Sequence, residues 1–273
     1  MIKKLLCALA LVITCTGAHA AGGEFPLDQA PNRISDLAAL QNGAKLFVNY
    51  CLNCHSASAM RYNKLKDIGL TDQQIRDSLL FTGEKVGDLM MGSVSAKDGK
   101  TWFGATPPDL SVIARAKSIN AGPTGSDYLY TYLRTFYRDT SKATGWDNLA
   151  FPNVGMPHVL WDRQGPRELT TTTVHQVPAQ AGKPAGWERI VTTFDASGYA
   201  TSKTEPLSNY RGKASVDHKF KALDPQRAAA LSLHGHRGDA AGAASLGHPR
   251  LTHHRKNNET RGNGHEYQQP GLA

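Results

Sequence analysis

The sequence predicts a mainly α fold with long loops and one β-hairpin excursion, and three observations carry that prediction. Apolar residues recur at helical spacing before Cys51 and again around Tyr132. A Gly-rich, aperiodic stretch separates them. Two runs rich in Thr, Val and Ile follow near Thr172 and Thr192. Taken in order, Ala21–Asn32 is a Gly/Pro-containing lead-in. Ser35 is the expected cap of a first helix, SDLAALQNGAKLFVNYC, in which Leu40, Ala44, Phe47 and Val48 share a face. Gly43 weakens this helix but offers a place for close packing. Thr71 with Gln74 forms a capping box for a short helix through Ile75, Leu79 and Leu80. Phe81 to Pro108 reads as one long functional loop. A helix from about Ser126 to Tyr137 follows, with Tyr128, Leu129, Tyr132, Leu133 and Phe136 as its buried stripe. Leu169–Val174 and Arg189–Phe194 are the two arms of the hairpin.

The ends differ in character from the middle. Residues 1–20 carry Lys3 and Lys4, an apolar stretch from Leu5 to Cys15 and the small-residue site Ala18-His19-Ala20. This is the layout of a secretory signal peptide cleaved after Ala20. Its apolar stretch is short of the roughly 20 residues a membrane-crossing helix needs. Residues 224–273 are rich in His and Gly, lack a sustained period and read as disordered. The 273 residues carry a formal net charge of +8. Most of that charge lies at the two ends, so the middle offers no basic stripe for a nucleic acid.

The cysteines divide the same way. Cys7 and Cys15 belong to the leader; Cys51 and Cys54 stand in Cys51-Leu52-Asn53-Cys54-His55. C-x-x-C-H is the attachment pattern of a c-type haem. The spacing brings both sulfurs to one side of a helical turn, where each adds to a haem vinyl group, and places His55 to ligate the iron. A thioredoxin-like pair expects a βαβ setting, which is absent. A zinc site expects four ligands, and no second Cys pair exists. The export signal agrees with haem attachment outside the bacterial cytoplasm.

The sixth ligand separates electron transfer from catalysis. Met60 is too close to His55 in sequence to cross to the opposite haem face. Met90, Met91 and Met156 remain, the last in Asn153-Val154-Gly155-Met156-Pro157, and His158 is a rival expected at the surface or behind the ligands. Arg115 and Lys117 are candidate donors to the haem propionates. Trp102, Tyr128 and Trp161 are candidate walls of the pocket.

Four runs, GAKLFVNYCLNCHSASAMRYNKL, PPDLSVIARAK, DYLYTYLRTFYRD and FPNVGMPHVLW, stand in an order and spacing that resembles the cytochrome c1 family of bacterial cytochrome bc1 complexes. The likeness covers about residues 21–223. It implies a cytochrome c-like helical domain around one covalent haem c. Electrons would come from the Rieske iron–sulfur protein, beside cytochrome b, and pass to a soluble cytochrome c on the periplasmic side of the inner membrane. It also implies that Met156 is the axial methionine and that Pro108 packs near the haem. Lys117 stands where the family often has an Arg on a propionate, and Lys lacks the guanidinium fork. The family continues into a haem-covering helix and a C-terminal membrane anchor, which the residues after Asp224-Pro225-Gln226 do not provide. A reading frame lost near Gln226 accounts for that departure.

The leading function is therefore one-electron transfer. A free periplasmic monohaem cytochrome c and, from another class, a haem peroxidase-type enzyme with an open sixth position are the alternatives. A metal-binding role for the His-rich tail rests on composition alone.

Overall fold

The structure is a computed structural model that describes residues 25–119, 122–179 and 184–227. The expected signal peptide at residues 1–20 and nearly all of the tail at 224–273 lie outside these residues. Helix α1, Leu37–Leu46, is capped by Asp36, whose side chain accepts from the Ala39 N–H. The cap is thus one residue later than the expected Ser35. The helix widens into a π-helical turn, Phe47–Cys51, instead of running on as α-helix. Gly43 gives no close contact: a Cβ there would meet nothing within 4 Å.

Strand β1, Ala57–Arg61, and a 3₁₀ segment, Tyr62–Ile68, lead into α2, Asp72–Ser78, which carries the expected Thr71–Gln74 capping box. The long loop expected over Phe81–Pro108 is only partly a loop. It contains β2, Leu89–Met90, which pairs antiparallel with β1, and α3, Ala96–Phe103, capped by Ser95 through the Asp98 N–H. Sparse apolar residues hide α3 from a periodicity argument. Gly99 lies within it because a Cβ there would sit 2.5 Å from Pro107 Cδ.

Helix α4, Ile113–Ala116, crosses α5, Gly125–Arg134. Thr124 and Asp127 form the capping box of α5. The helix ends before Phe136, which starts strand β3, Phe136–Arg138, paired with β4, Trp146–Asn148. The lead-in is tied to α5: Asp28 N–H donates to Thr131 Oγ1 (2.8 Å) and Ala30 N–H to Asp127 Oδ1 (2.7 Å).

After α6, Trp161–Gln164, come β5, Arg167–Val177; β6, Gly186–Phe194; β7, Ala200–Pro206; and β8, Ser215–Ala222. The expected hairpin is present, with Leu169 opposite Phe194 and Val174 opposite Arg189. It is the centre of a four-stranded antiparallel sheet of order β7-β6-β5-β8. His218, which composition groups with the tail histidines, lies on β8 opposite Thr171. Strand is nearly as abundant as helix. Mainly α is therefore too narrow a description, because edge strands β7 and β8 flank the hairpin on both sides. No helix among the described residues is long and apolar enough to cross a membrane.

The core that matters for the site joins Val48, Leu52, Ala57, Tyr62, Leu65, Ile75, Leu79 and Met90. Leu52 is fully buried, so the turn between the two cysteines is itself anchored in the core. Burial of one Leu side chain stabilises by roughly 1.5–3 kcal/mol.

Two glycines test this packing in opposite directions. Gly43→Ala is expected to raise stability by about 0.5–1 kcal/mol, because it removes backbone freedom where space is open. Gly125→Ala is expected to lower it by roughly 1–3 kcal/mol or more, since the new Cβ would lie 1.6 Å from the Ala114 carbonyl oxygen. Urea unfolding of the two variants checks both signs.

Candidate functional site

The C-x-x-C-H segment forms a closed turn. The N–H groups of Cys54 and His55 both donate to the Cys51 carbonyl, at 3.1 and 2.9 Å. Cys51 and Cys54 are free thiols with no disulfide. Burial, and then the neighbouring Cys54, pushes the Cys51 thiol up to about 11, and burial raises Cys54 as well. A redox-active C-x-x-C needs the opposite, a thiol depressed toward neutral pH. Among the described residues no three His, Cys, Asp or Glu side chains gather into a metal site.

Two loops clamp this turn. On one side, the N–H groups of Ser93 and Val94 donate to the Asn53 carbonyl, both at 3.0 Å, and Gly92 N–H donates to Ser56 Oγ at 2.9 Å. A Cβ on Gly92 would lie 3.1 Å from the Leu52 carbonyl oxygen, so only glycine fits this approach easily. On the other side, Leu110 N–H donates to the Ser56 carbonyl (2.8 Å) and Ala59 N–H to Ser111 Oγ (2.9 Å). Asp109 braces that loop by accepting the N–H groups of Ser58 and Ser111, each at 2.8 Å. The Ser111 hydroxyl first, and then the Ser58 N–H, hold its carboxyl well below the usual carboxylate range.

The consequence falls on His55. Its Nδ1 lies 2.8 Å from the Pro108 carbonyl oxygen. A carbonyl only accepts, so Nδ1 carries the proton and Nε2 keeps its lone pair for a metal. Pro108 thus enters the site through its backbone oxygen.

A second wall is built by buried polar side chains. Asp147, 4% exposed, accepts the N–H groups of Asn148 (2.8 Å) and Asn153 (2.7 Å) and pairs with Lys142 at 3.1 Å. Asn148, 1% exposed, accepts from Ala150 and Phe151 N–H at 2.9 and 3.0 Å and donates to the Tyr132 carbonyl at 2.7 Å. Asn153 takes a left-handed φ of 62° while its side chain accepts from Lys142 at 2.6 Å. These contacts shape the irregular chain that presents Met156. Gly155 is pressed on α3, where a Cβ would lie 2.6 Å from the Phe103 carbonyl oxygen. Helix α3 therefore touches both walls, through Gly99 against Pro107 and through Phe103 against Gly155.

Of the four methionines weighed, Met90 is packed in the core at 3% exposure and Met60 and Met91 are exposed. Met156 Sδ accepts from the Tyr132 hydroxyl at 3.3 Å. Burial and the Tyr128 phenol raise the Tyr132 phenol, so it stays a donor. Lys117 Nζ lies 4.7 Å from the Tyr128 ring centroid and 5.9 Å from that of Phe151, and Tyr128 stacks on Tyr132. Lys117 is therefore on the Met156 side. Arg115 is exposed on α4 and has no ion pair among the described residues. Trp102 and Trp161 are more than half exposed, so core packing does not account for them.

His158 is not a surface residue: it is 2% exposed. It stacks on Phe136 (4.8 Å between ring centroids), meets Trp146 edge-on and bonds Gln164 Oε1 through Nε2 at 2.6 Å. Burial first, and then Arg167 and Arg138, push it down to about 4.

Two thiols kept as thiols, one imidazole with Nε2 free, one thioether and two cations without carboxylate partners among the described residues fit a covalently held haem. The family model for the cytochrome c1 family matches residues 29–180. The chain belongs to the cytochrome c1 family. The cytochrome c1 of Allochromatium vinosum is 42% identical over 175 residues, 64% of this chain and 69% of that one. A protein of Nitrosomonas europaea named ammonia monooxygenase gamma subunit is 45% identical over 216 residues, 79% of this chain and 88% of that one. The cytochrome c1 of Cereibacter sphaeroides is 25% identical over 210 residues, 65% and 73% of the two chains. Membership supports a cytochrome c-like domain with haem c and an electron-transfer role.

Sequence reasoning missed Asp147, Asn148 and Asp109. All three stand in turn-rich runs where Asp and Asn look like ordinary turn residues.

His158 gives the site a pH signature. Its native value near 4 lies below the unfolded value near 6.5. The unfolded chain then binds the extra proton between these values, so stability is complete above about pH 6.5 and falls by up to roughly 3 kcal/mol toward pH 4. Urea unfolding at several pH values should show that slope, and His158→Gln should flatten it.

Proposed function

We propose that the chain is a one-electron carrier with a single haem c, bound through thioether bonds to Cys51 and Cys54 and ligated by His55 and Met156. The observation that carries this reading is the His55 Nδ1–Pro108 contact at 2.8 Å, on a turn that also presents two unpaired thiols. Bound haem supplies an iron that cycles between ferric and ferrous with no bond made in a substrate. The chain's residues do the rest. Pro108 orients the imidazole, and the Asp147–Asn148 loop holds the thioether. Lys117, with Arg115, offers charge to the propionates, and the two clamped walls limit rearrangement between oxidation states.

Kinship with cytochrome c1 and cytochrome b/c1 proteins supports a role in a cytochrome bc1-type complex, where the proposed partners are cytochrome b and the Rieske protein and the proposed acceptor is a soluble cytochrome c. Residues 1–20 direct export, residues 21–223 are the haem domain, and the domain works on the periplasmic side of the inner membrane. The name of the Nitrosomonas europaea relative favours a second reading, in which the same haem domain serves a monooxygenase. Co-purification separates the two: cytochrome b and the Rieske protein support the first, a hydroxylase the second. Release from membranes by a salt wash would instead favour a free carrier.

The test is a redox titration followed by reduced-minus-oxidised spectra. Wild type should show one c-type haem, a ferric Met–iron charge-transfer band and no carbon monoxide binding. Cys51→Ser with Cys54→Ser should lose covalent haem on a denaturing gel. Met156→Ala should lose the charge-transfer band, lower the potential and open the ferrous iron to carbon monoxide. Ready carbon monoxide binding by wild type without that band would overturn electron transfer in favour of an open, peroxidase-like site.

A further inference from the structure

The Tyr132 hydroxyl is 3.3 Å from Met156 Sδ and donates to it. A thioether sulfur has two lone pairs. With one committed to iron, the other remains to accept a hydrogen bond, so this contact is compatible with ligation. The contact is also held in place. The Tyr132 ring stacks on Tyr128, with centroids 5.9 Å apart at 11°, and meets Phe136 edge-on at 5.1 Å and 69°. Its backbone carbonyl accepts Asn148 Nδ2 at 2.7 Å. The same Asn148 accepts the N–H groups of Ala150 and Phe151, which begin the chain leading to Met156. Thr135 Oγ1 closes the arrangement on Asn148 Oδ1 at 3.2 Å. The end of α5 and the methionine loop are thus one hydrogen-bonded unit, and Tyr132 has one orientation relative to the sulfur.

We infer that Tyr132 is a positioning residue that sets the reduction potential through its hydrogen bond to Met156 Sδ, with Asn148 fixing the pair. This rests on Met156 being the axial ligand. A donor on the sulfur draws density from the lone pairs, makes the thioether a poorer donor to ferric iron and so favours the ferrous state. Electron count and protonation do not change: the phenol keeps its proton in both oxidation states.

The test is Tyr132→Phe in the haem-loaded full chain, compared with wild type by potentiometric titration and by the ferric Met–iron charge-transfer band. Phe keeps the stacking on Tyr128 and the edge contact with Phe136, so folding is preserved. Far-ultraviolet circular dichroism and the thermal midpoint verify this. The midpoint potential should fall, by a roughly threefold to tenfold change in the one-electron equilibrium constant, tenfold being about 59 mV. The band should shift or weaken without loss of covalent haem. An unchanged potential with an unchanged band overturns the inference and leaves Met156 ligation intact. Absence of the band in wild type overturns both, and the two failures are therefore distinguished.

Discussion

The hydrogen bond from His55 Nδ1 to the Pro108 carbonyl is the constraint on which the rest of the site depends. A free imidazole exchanges its proton between two nitrogens and rotates. One fixed acceptor removes both freedoms and leaves Nε2 as the ring atom with a lone pair to offer. That acceptor is itself fixed. Pro108 has no backbone N–H to anchor it, so its loop is held by the neighbours: Asp109 on two N–H groups and Leu110 on the Ser56 carbonyl. On the opposite flank, the Gly92–Val94 segment holds the same turn through Asn53 and Ser56. Leu52 then roots it in the apolar core.

The two walls of the site are stabilised by different physics. The C-x-x-C-H wall rests on apolar burial, from Val48 to Met90. The Met156 wall rests on a buried carboxylate and a buried amide, which satisfy backbone groups of a chain too irregular to satisfy its own. Such a network is directional where apolar packing is not, and each satisfied group narrows the conformations open to the loop. That suits the proposed role of this wall, which is to present one sulfur atom. The same logic explains Phe136, His158 and Trp146, which fill the space behind that loop as stacked and edge-on rings.

What was legible in the sequence was local. The Thr71–Gln74 box depends on four consecutive residues, and it is present. The hairpin arms are β-branched, and they pair with each other. The C-x-x-C-H turn carries its chemistry in its spacing. What was not legible was tertiary. Helix α3 has Gly99 at its middle because Pro107 needs the space, and an isolated sequence reads that glycine as a loop signal. Phe136 continues the helical stripe in sequence, yet pairing with Asn148 takes it into a strand. Met90 and Met156 are equivalent as composition; burial of the first in the core separates them. A lone histidine between turn residues gave no sign that His158 would be enclosed by aromatic rings. The net charge of +8, which suggests an anionic partner when taken whole, says little about this domain, because most of it lies in the two ends.

The most direct test of this account is the protonation of the His55 ring in the ferrous, haem-loaded chain, read by nitrogen-edited proton NMR. The account predicts a slowly exchanging proton on Nδ1, held by the Pro108 carbonyl, and none on Nε2. A proton on Nε2 with Nδ1 bare would contradict it, because the nitrogen presented to the iron would then be the wrong one.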